Sequence, residues 1–157
     1  MKIKENILAK GKYRFKFYKA GTKELLRETD WIHNLIVVNE NNGLNLIIKR
    51  LLGIKDFDLE ITKAKMGDNN TAPADADTDL GNVVVDNIQI ARRTEVTVAQ
   101  ALIEFFISDV EALNQEYKEF GIFCGSKLFA RSLISPTITK SPSEDITCEY
   151  TINIANI

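Results

Sequence analysis

Histidine is almost absent from this chain, and most chemistry that depends on it is absent too. The 157 residues hold one His, two Cys, three Pro, one Trp and eight Gly. His33 alone cannot assemble a catalytic triad or a His-rich metal centre with any visible motif. Cys124 and Cys148 stand far apart and flank no second ligand pair, so they read first as two buried thiols, with a disulfide left open. A Cys124 nucleophile with His33 as base is disfavoured, because the Gly-Ile-Phe run before Cys124 reads as buried strand. No Gly-rich phosphate loop precedes a helix, and no G-x-S-x-G elbow occurs. The expectation is therefore a protein that is not an enzyme and needs no cofactor.

Long apolar runs are lacking as well, which excludes a membrane anchor. Met1 to Lys10 alternates charge with aliphatic residues and has no secretory core, so synthesis in a reducing cytoplasm is expected. Sparse Pro and Gly, with 45% hydrophobic and 27% charged residues, exclude disordered, collagenous and low-complexity chains. One domain, 1–157, is expected, large enough to bury its own core.

Excess positive charge is missing too. Net charge is −2 and the pI is near 5.5, which argues against a surface built for nucleic acid. Lys10, Lys12, Arg14, Lys16 and Lys19 interleave with Tyr13, Phe15, Phe17 and Tyr18 in a way that resembles a stacking platform. The period of two, however, sends rings and most charges to opposite faces. Charge does segregate along the chain: residues 1–55 hold 12 basic and 5 acidic groups, residues 56–90 hold 2 and 8, and residues 91–157 hold 6 and 9. Such asymmetry could orient one copy against another, although ordinary solvated surface is the favoured reading.

What is present is mostly strand pattern. Lys12 to Phe17 alternates strictly, Lys19 to Lys23 carries turn chemistry, and Glu24 to Thr29 can return as a hairpin. From Asn39 the period changes. Leu44, Ile47, Ile48, Leu51 and Leu52 form an amphipathic stripe, with Asn39, Asn41 and Asn42 as candidate N-caps, Lys49 and Arg50 at the negative end of the dipole, and Gly53 as terminator. The stripe is purely aliphatic and is expected to pack on a sheet. Further strands are expected near Glu60–Met66, Val83–Val85, Ile88–Ile90, Arg93–Ala99, Ala101–Ile107, Glu116–Phe123, Leu128–Ser135 and Ile146–Ile154. The fold class is mainly β: an antiparallel β-sandwich or open barrel with one amphipathic helix at about residues 40–52.

Between Gly67 and Leu80 lies the one long polar stretch, a surface loop expected to be mobile alone and ordered by a neighbour. Asp75, Asp77 and Asp79 share the spacing that opens a calcium-binding EF-hand loop, but Leu80 stands where Gly is needed and no bidentate Glu follows, so no metal site is expected. Asp68, Asn69, Asn70, Asp75, Asp77 and Asp79 are the candidate interaction residues.

Several segments together resemble small structural proteins of tailed bacteriophages and prophages: Gly11-Lys-Tyr-Arg-Phe, Trp31-Ile-His-Asn-Leu-Ile-Val-Val-Asn39, Gly43-Leu-Asn-Leu, Asn70-Thr-Ala-Pro-Ala-Asp-Ala-Asp-Thr-Asp-Leu80, Glu119-Phe-Gly-Ile-Phe123, Ala130-Arg131 and Ile138-Thr-Lys-Ser. The likeness spans roughly residues 10 to 155. It implies a non-enzymatic virion component, a tail, tail-fibre-associated or head-decorating subunit. Its implied partners are copies of itself and other virion proteins, with neither nucleic acid nor membrane. An alternative is a carbohydrate- or receptor-binding β-sandwich for host attachment, for which Trp31, Phe57 and Tyr117 are the rings with mainly polar flanks.

Overall fold

The computed structural model describes residues 7–113 and 115–156. Alternation in β1 (Ile7–Lys19) buries Tyr13, Phe15 and Phe17 to 0–1% exposure and leaves Lys12, Arg14 and Lys16 partly in water, as a half-buried strand requires. The hairpin strand β2 (Leu25–Glu28) returns along β1, and the short β3 (Ile32–His33) and β4 (Leu35–Ile36) follow. After the helical segment come β7 (Lys63–Gly67), β8 (Val83–Thr97), β9 (Gln100–Ile107), β10 (Glu116–Cys124), β11 (Lys127–Thr139) and β12 (Glu144–Asn156). All pair antiparallel in the order β2-β1-β12-β9-β8-β7-β10-β11-β4, with β3 beside β1 off this path, one curled ten-stranded sheet that forms a half-barrel. The expected β-rich class with one helix is the observed one.

The curl comes from two devices. β8 pairs with β7 between Val83 and Ile88 and with β9 from Gln89 onward, so one strand carries the sheet around a corner. At the other side the chain from Ile32 to Ile36 touches both ends of the curl, β3 on β1 and β4 on β11. The two halves meet over Phe120 of β10, whose ring centroid lies 4.6 Å from Tyr13, 5.4 Å from Phe15 and 6.3 Å from Phe105. Each ring buried this way contributes roughly 1.5–3 kcal/mol. The Tyr13 hydroxyl, 2.5 Å from Ser132 Oγ, is satisfied inside that core.

Two expectations need correction. The segments Val83–Val85, Ile88–Ile90 and Arg93–Ala99 are not separate strands, because Val83–Thr97 is continuous. Asp86, Asn87 and Arg92 break the apolar pattern without breaking the ladder, since β8 is exposed over much of its length. The helix, α1 (Leu44–Leu51), is shorter than 40–52. Residues 38–43 instead form a two-stranded ribbon, β5 (Val38–Asn39) with β6 (Asn42–Gly43).

The N-cap of α1 is Gly43, with no side-chain cap from an asparagine. Its φ is +60°, and a Cβ there would lie 1.7 Å from the Val37 carbonyl oxygen, the acceptor for Leu44 N–H; only glycine fits. Gly53, at φ +80°, ends the helix as its sequence position suggests.

The orientation of α1 is the main departure. Leu46 is its one buried residue; of the expected stripe Leu44 packs partly buried against the core and Ile47 is half-buried, while Ile48, Leu51 and Leu52 are 52%, 78% and 73% exposed. Lys49 and Arg50 reach toward the body instead: Lys49 Nζ donates to Asn41 Oδ1 at 2.7 Å, and Arg50 donates to the Phe57 carbonyl at 2.6 Å with its guanidinium over the Phe57 ring. An apolar stripe sets the period of a helix, and it says nothing about whether the stripe meets its own sheet or another molecule.

Candidate functional site

The outer face of β7, β10 and β11 is not bare. Gly67, Glu119 and Leu133 lie in one row of that face, and Lys65, Gly121 and Arg131 lie in the next. The loop between Gly67 and Val83 folds down on both rows. Leu80 is buried against Gly121, where a Cβ would come within 2.7 Å of its Cδ2, and Lys65 Nζ sits 4.3 Å from the centroid of the Phe123 ring.

Beneath the loop lies a buried ion pair. Glu119 is fully buried and Arg131 is 2% exposed. Arg131 donates to Glu119 Oε2 from Nε at 3.2 Å and from Nη2 at 2.9 Å. The same guanidinium donates to Asp77 Oδ2 at 2.6 Å and to the Thr71 carbonyl at 2.8 Å. Glu119 also accepts from the backbone N–H of Gly81, Asn82 and Asn69 at 2.9, 2.8 and 3.4 Å. Every polar atom of the pair thus has a partner, in the loop or in the pair itself, which is what a buried charge demands. Gly67 is needed because a Cβ there would lie 2.4 Å from Glu119 Oε1 and 2.2 Å from the Asn82 carbonyl oxygen.

The candidate interaction residues separate into three groups. Asp77 is held by Arg131, and its Oδ2 also accepts from Ala74 N–H. Asp79 pairs with Lys65 at 3.1 Å, and Asn69 caps its own turn by accepting from Thr71 N–H at 2.7 Å. Asp68, Asn70 and Asp75 remain exposed, Asp68 accepting from Asn82 Nδ2 at 2.6 Å and Asp75 giving its carbonyl to Asn39 Nδ2 at 2.8 Å. The three alternating aspartates therefore do not converge. Among the described residues no three His, Cys, Asp or Glu side chains form a group able to hold a metal ion. Asp86 also joins Lys65, whose hydrogen bond and charge hold that carboxyl below its usual range.

Glu119 and Arg131 are the members not singled out as site residues from sequence. Their signal was a charge set against an apolar run within a strand, Glu119 before Phe-Gly-Ile-Phe and Arg131 after Leu-Phe-Ala. Most of the loop is exposed, as its small and polar composition implies, and Leu80 is its one buried residue. Its own Leu80 and the strand charges below tie it down.

The loop is joined to the helical segment. Asn39 Nδ2 donates to the carbonyls of Asp75 and Asp77, Asn39 Oδ1 accepts from Asn42 Nδ2, and Asn42 Oδ1 accepts from Leu128 N–H at 2.9 Å. The asparagines expected as caps are thus linkers between loop, helix entry and β11. The surface they brace carries the outward stripe of α1, with Ile54 beyond it and exposed Val38 on β5, which packs beside the helix.

No family model, curated protein or solved structure matches this chain.

Other reactive groups are placed elsewhere. Burial, then the charges of Asp58 and Glu60, push the Cys124 thiol up to about 12, and burial raises Cys148 well above its usual value. Both thiols are free and stay protonated at neutral pH. His33 is exposed, opposite Lys12 of β1. Of the rings considered for sugar binding, Tyr117 is buried. Trp31 lies under Lys12 and Arg14, and Phe57 lies under Arg50. No helix among the described residues is long and apolar enough to cross a membrane.

Proposed function

We propose that this chain is a non-enzymatic structural subunit of a tailed bacteriophage particle, a tail or tail-associated component or a head decoration, assembled through contacts with its own copies and other virion proteins. The observation that carries the assembly part is the outward stripe of α1: Ile48, Leu51 and Leu52 lie in water on a braced platform, although the chain places cations on the inward side. A helix stripe turned away from its own core marks a surface that another protein covers. The phage part rests on the sequence resemblance. Its separate segments support it by folding into one unit, since Asn70–Leu80, Glu119–Phe123 and Arg131 meet in the buried latch.

Sedimentation velocity on the full chain tests the assembly surface. The wild type is expected to associate with itself or co-sediment with particle proteins. Leu51→Asp is expected to lose the contact made through α1 while its melting temperature stays put, because the residue is exposed. A wild type that stays strictly monomeric and binds no particle component contradicts the proposal.

A further inference from the structure

β8 has a free edge. From Arg92 to Glu95 it pairs residue for residue with β9, Arg92 opposite Glu104, Arg93 opposite Ile103, Thr94 opposite Leu102 and Glu95 opposite Ala101. Its pairing with β7 ends at Ile88, so among the described residues no strand lies along the other side of this stretch. Residues 91–99 are all exposed, and irregularities between Ile90 and Arg92 and between Glu95 and Thr97 confine the regular ladder to four residues. A row of outward backbone donors and acceptors of this kind is a template for a further strand.

We infer that this edge pairs antiparallel with the same edge of a second copy, centred on Thr94. The inference rests on the subunit reading for its partner, and symmetry then selects the register. A two-fold axis relating neighbouring antiparallel strands is perpendicular to the sheet, so each residue keeps its face and the pairing must centre on one residue. Centring on Arg92, Arg93 or Glu95 sets a like charge against itself, which is unfavourable directly across strands. Centring on Thr94 sets hydroxyl against hydroxyl and Arg93 against the partner's Glu95, twice by symmetry. Arg93 already pairs with Glu60 at 2.9 Å and donates to the Ile61 carbonyl; the five donors of a guanidinium can serve a second carboxylate. Val96, half exposed, comes alongside the stem of the partner's Arg92.

Charge-swapped variants of the full chain, followed by sedimentation velocity with melting temperature as a folding control, test this. Arg93→Glu and Glu95→Arg are each expected to weaken dimerisation roughly tenfold or more, since each turns both cross-strand pairs repulsive. The double swap is expected to restore it to near the wild-type value. Glu60→Gln, which removes the intramolecular partner of Arg93, should leave it intact. Thr94→Cys should give a disulfide-linked dimer on oxidation, which the buried wild-type thiols do not. A dimer indifferent to the single swaps, a double swap that fails to restore it, no Thr94→Cys cross-link, or no dimer at all overturns the inference. Association lost in Leu51→Asp and unchanged in the β8 variants overturns edge pairing alone and leaves the subunit reading standing.

Discussion

Arg131→Met is the perturbation that most directly probes the latch under the loop. The guanidinium is 2% exposed and serves Glu119, Asp77 and the Thr71 carbonyl. Removing one partner of a buried pair typically costs about 3–5 kcal/mol, because the other charge is left uncompensated. Here Glu119 keeps the N–H groups of Gly81 and Asn82, and the partly exposed Asp77 can return to water, so the lower end, about 3 kcal/mol, is expected. For a chain of this length each kcal/mol moves the melting temperature by about 2–4 °C, which puts the drop at roughly 6–12 °C. Circular dichroism melts give the shift, and hydrogen exchange should show lost protection at the Ala74 amide, whose acceptor Asp77 is released. Adding Glu119→Gln should recover at least about 1 kcal/mol, since it removes the stranded charge. A melting temperature within about 2 °C of wild type, or strictly additive losses in the double variant, refutes the reasoning.

Leu46→Ala should cost about 2–5 kcal/mol and Ile48→Ala far less, because only Leu46 is buried; equal melting temperatures would place the helix the other way round. Gly43→Ala should destabilise strongly through its collision with the Val37 carbonyl, and a variant that melts like wild type would deny that contact. Calcium should leave hydrogen exchange in the Gly67–Leu80 loop unchanged, because Asp77 and Asp79 are engaged by Arg131 and Lys65; protection that appears with calcium and disappears with chelator would contradict it. Glu149 titrates below its ordinary 4.5: burial alone would raise it, but hydrogen bonds from Lys16 and Arg14 outweigh that. A lowered carboxyl stabilises the fold above the unfolded value and loses that effect as pH falls through the folded one. Glu149→Gln should therefore be less stable than wild type at neutral pH and converge with it in acid, as urea titrations at several pH values would show.

Local patterns were legible where one residue's neighbours in sequence decide its environment. The alternation of β1 told which rings are buried; the expected face Ile146, Cys148, Tyr150, Ile152 and Ile154 of β12 is buried through Tyr150 but ends with Ile154 41% exposed; and Gly53 marked where the helix ends. The direction of α1 was not legible, because the same stripe serves a core or a partner and only the inward placement of Lys49 and Arg50 decides between them. The latch was half visible. Asp77 and Asp79 stood out as an acidic run, but Arg131 lies 54 residues from Asp77, and a charge beside an apolar run does not name its partner. The free edge of β8 was hidden for a related reason: strand pattern predicts a strand and leaves open which of its sides another strand will cover.

Electron microscopy with mass spectrometry of purified phage particles from cells that carry this gene distinguishes a particle subunit from any other protein. A subunit is expected in the particle at a copy number set by particle symmetry, with Ile48, Leu51 and Leu52 covered by a neighbouring protein. Complete, infectious particles that lack the chain would contradict the subunit reading, as would a chain in the particle whose α1 stripe still faces solvent.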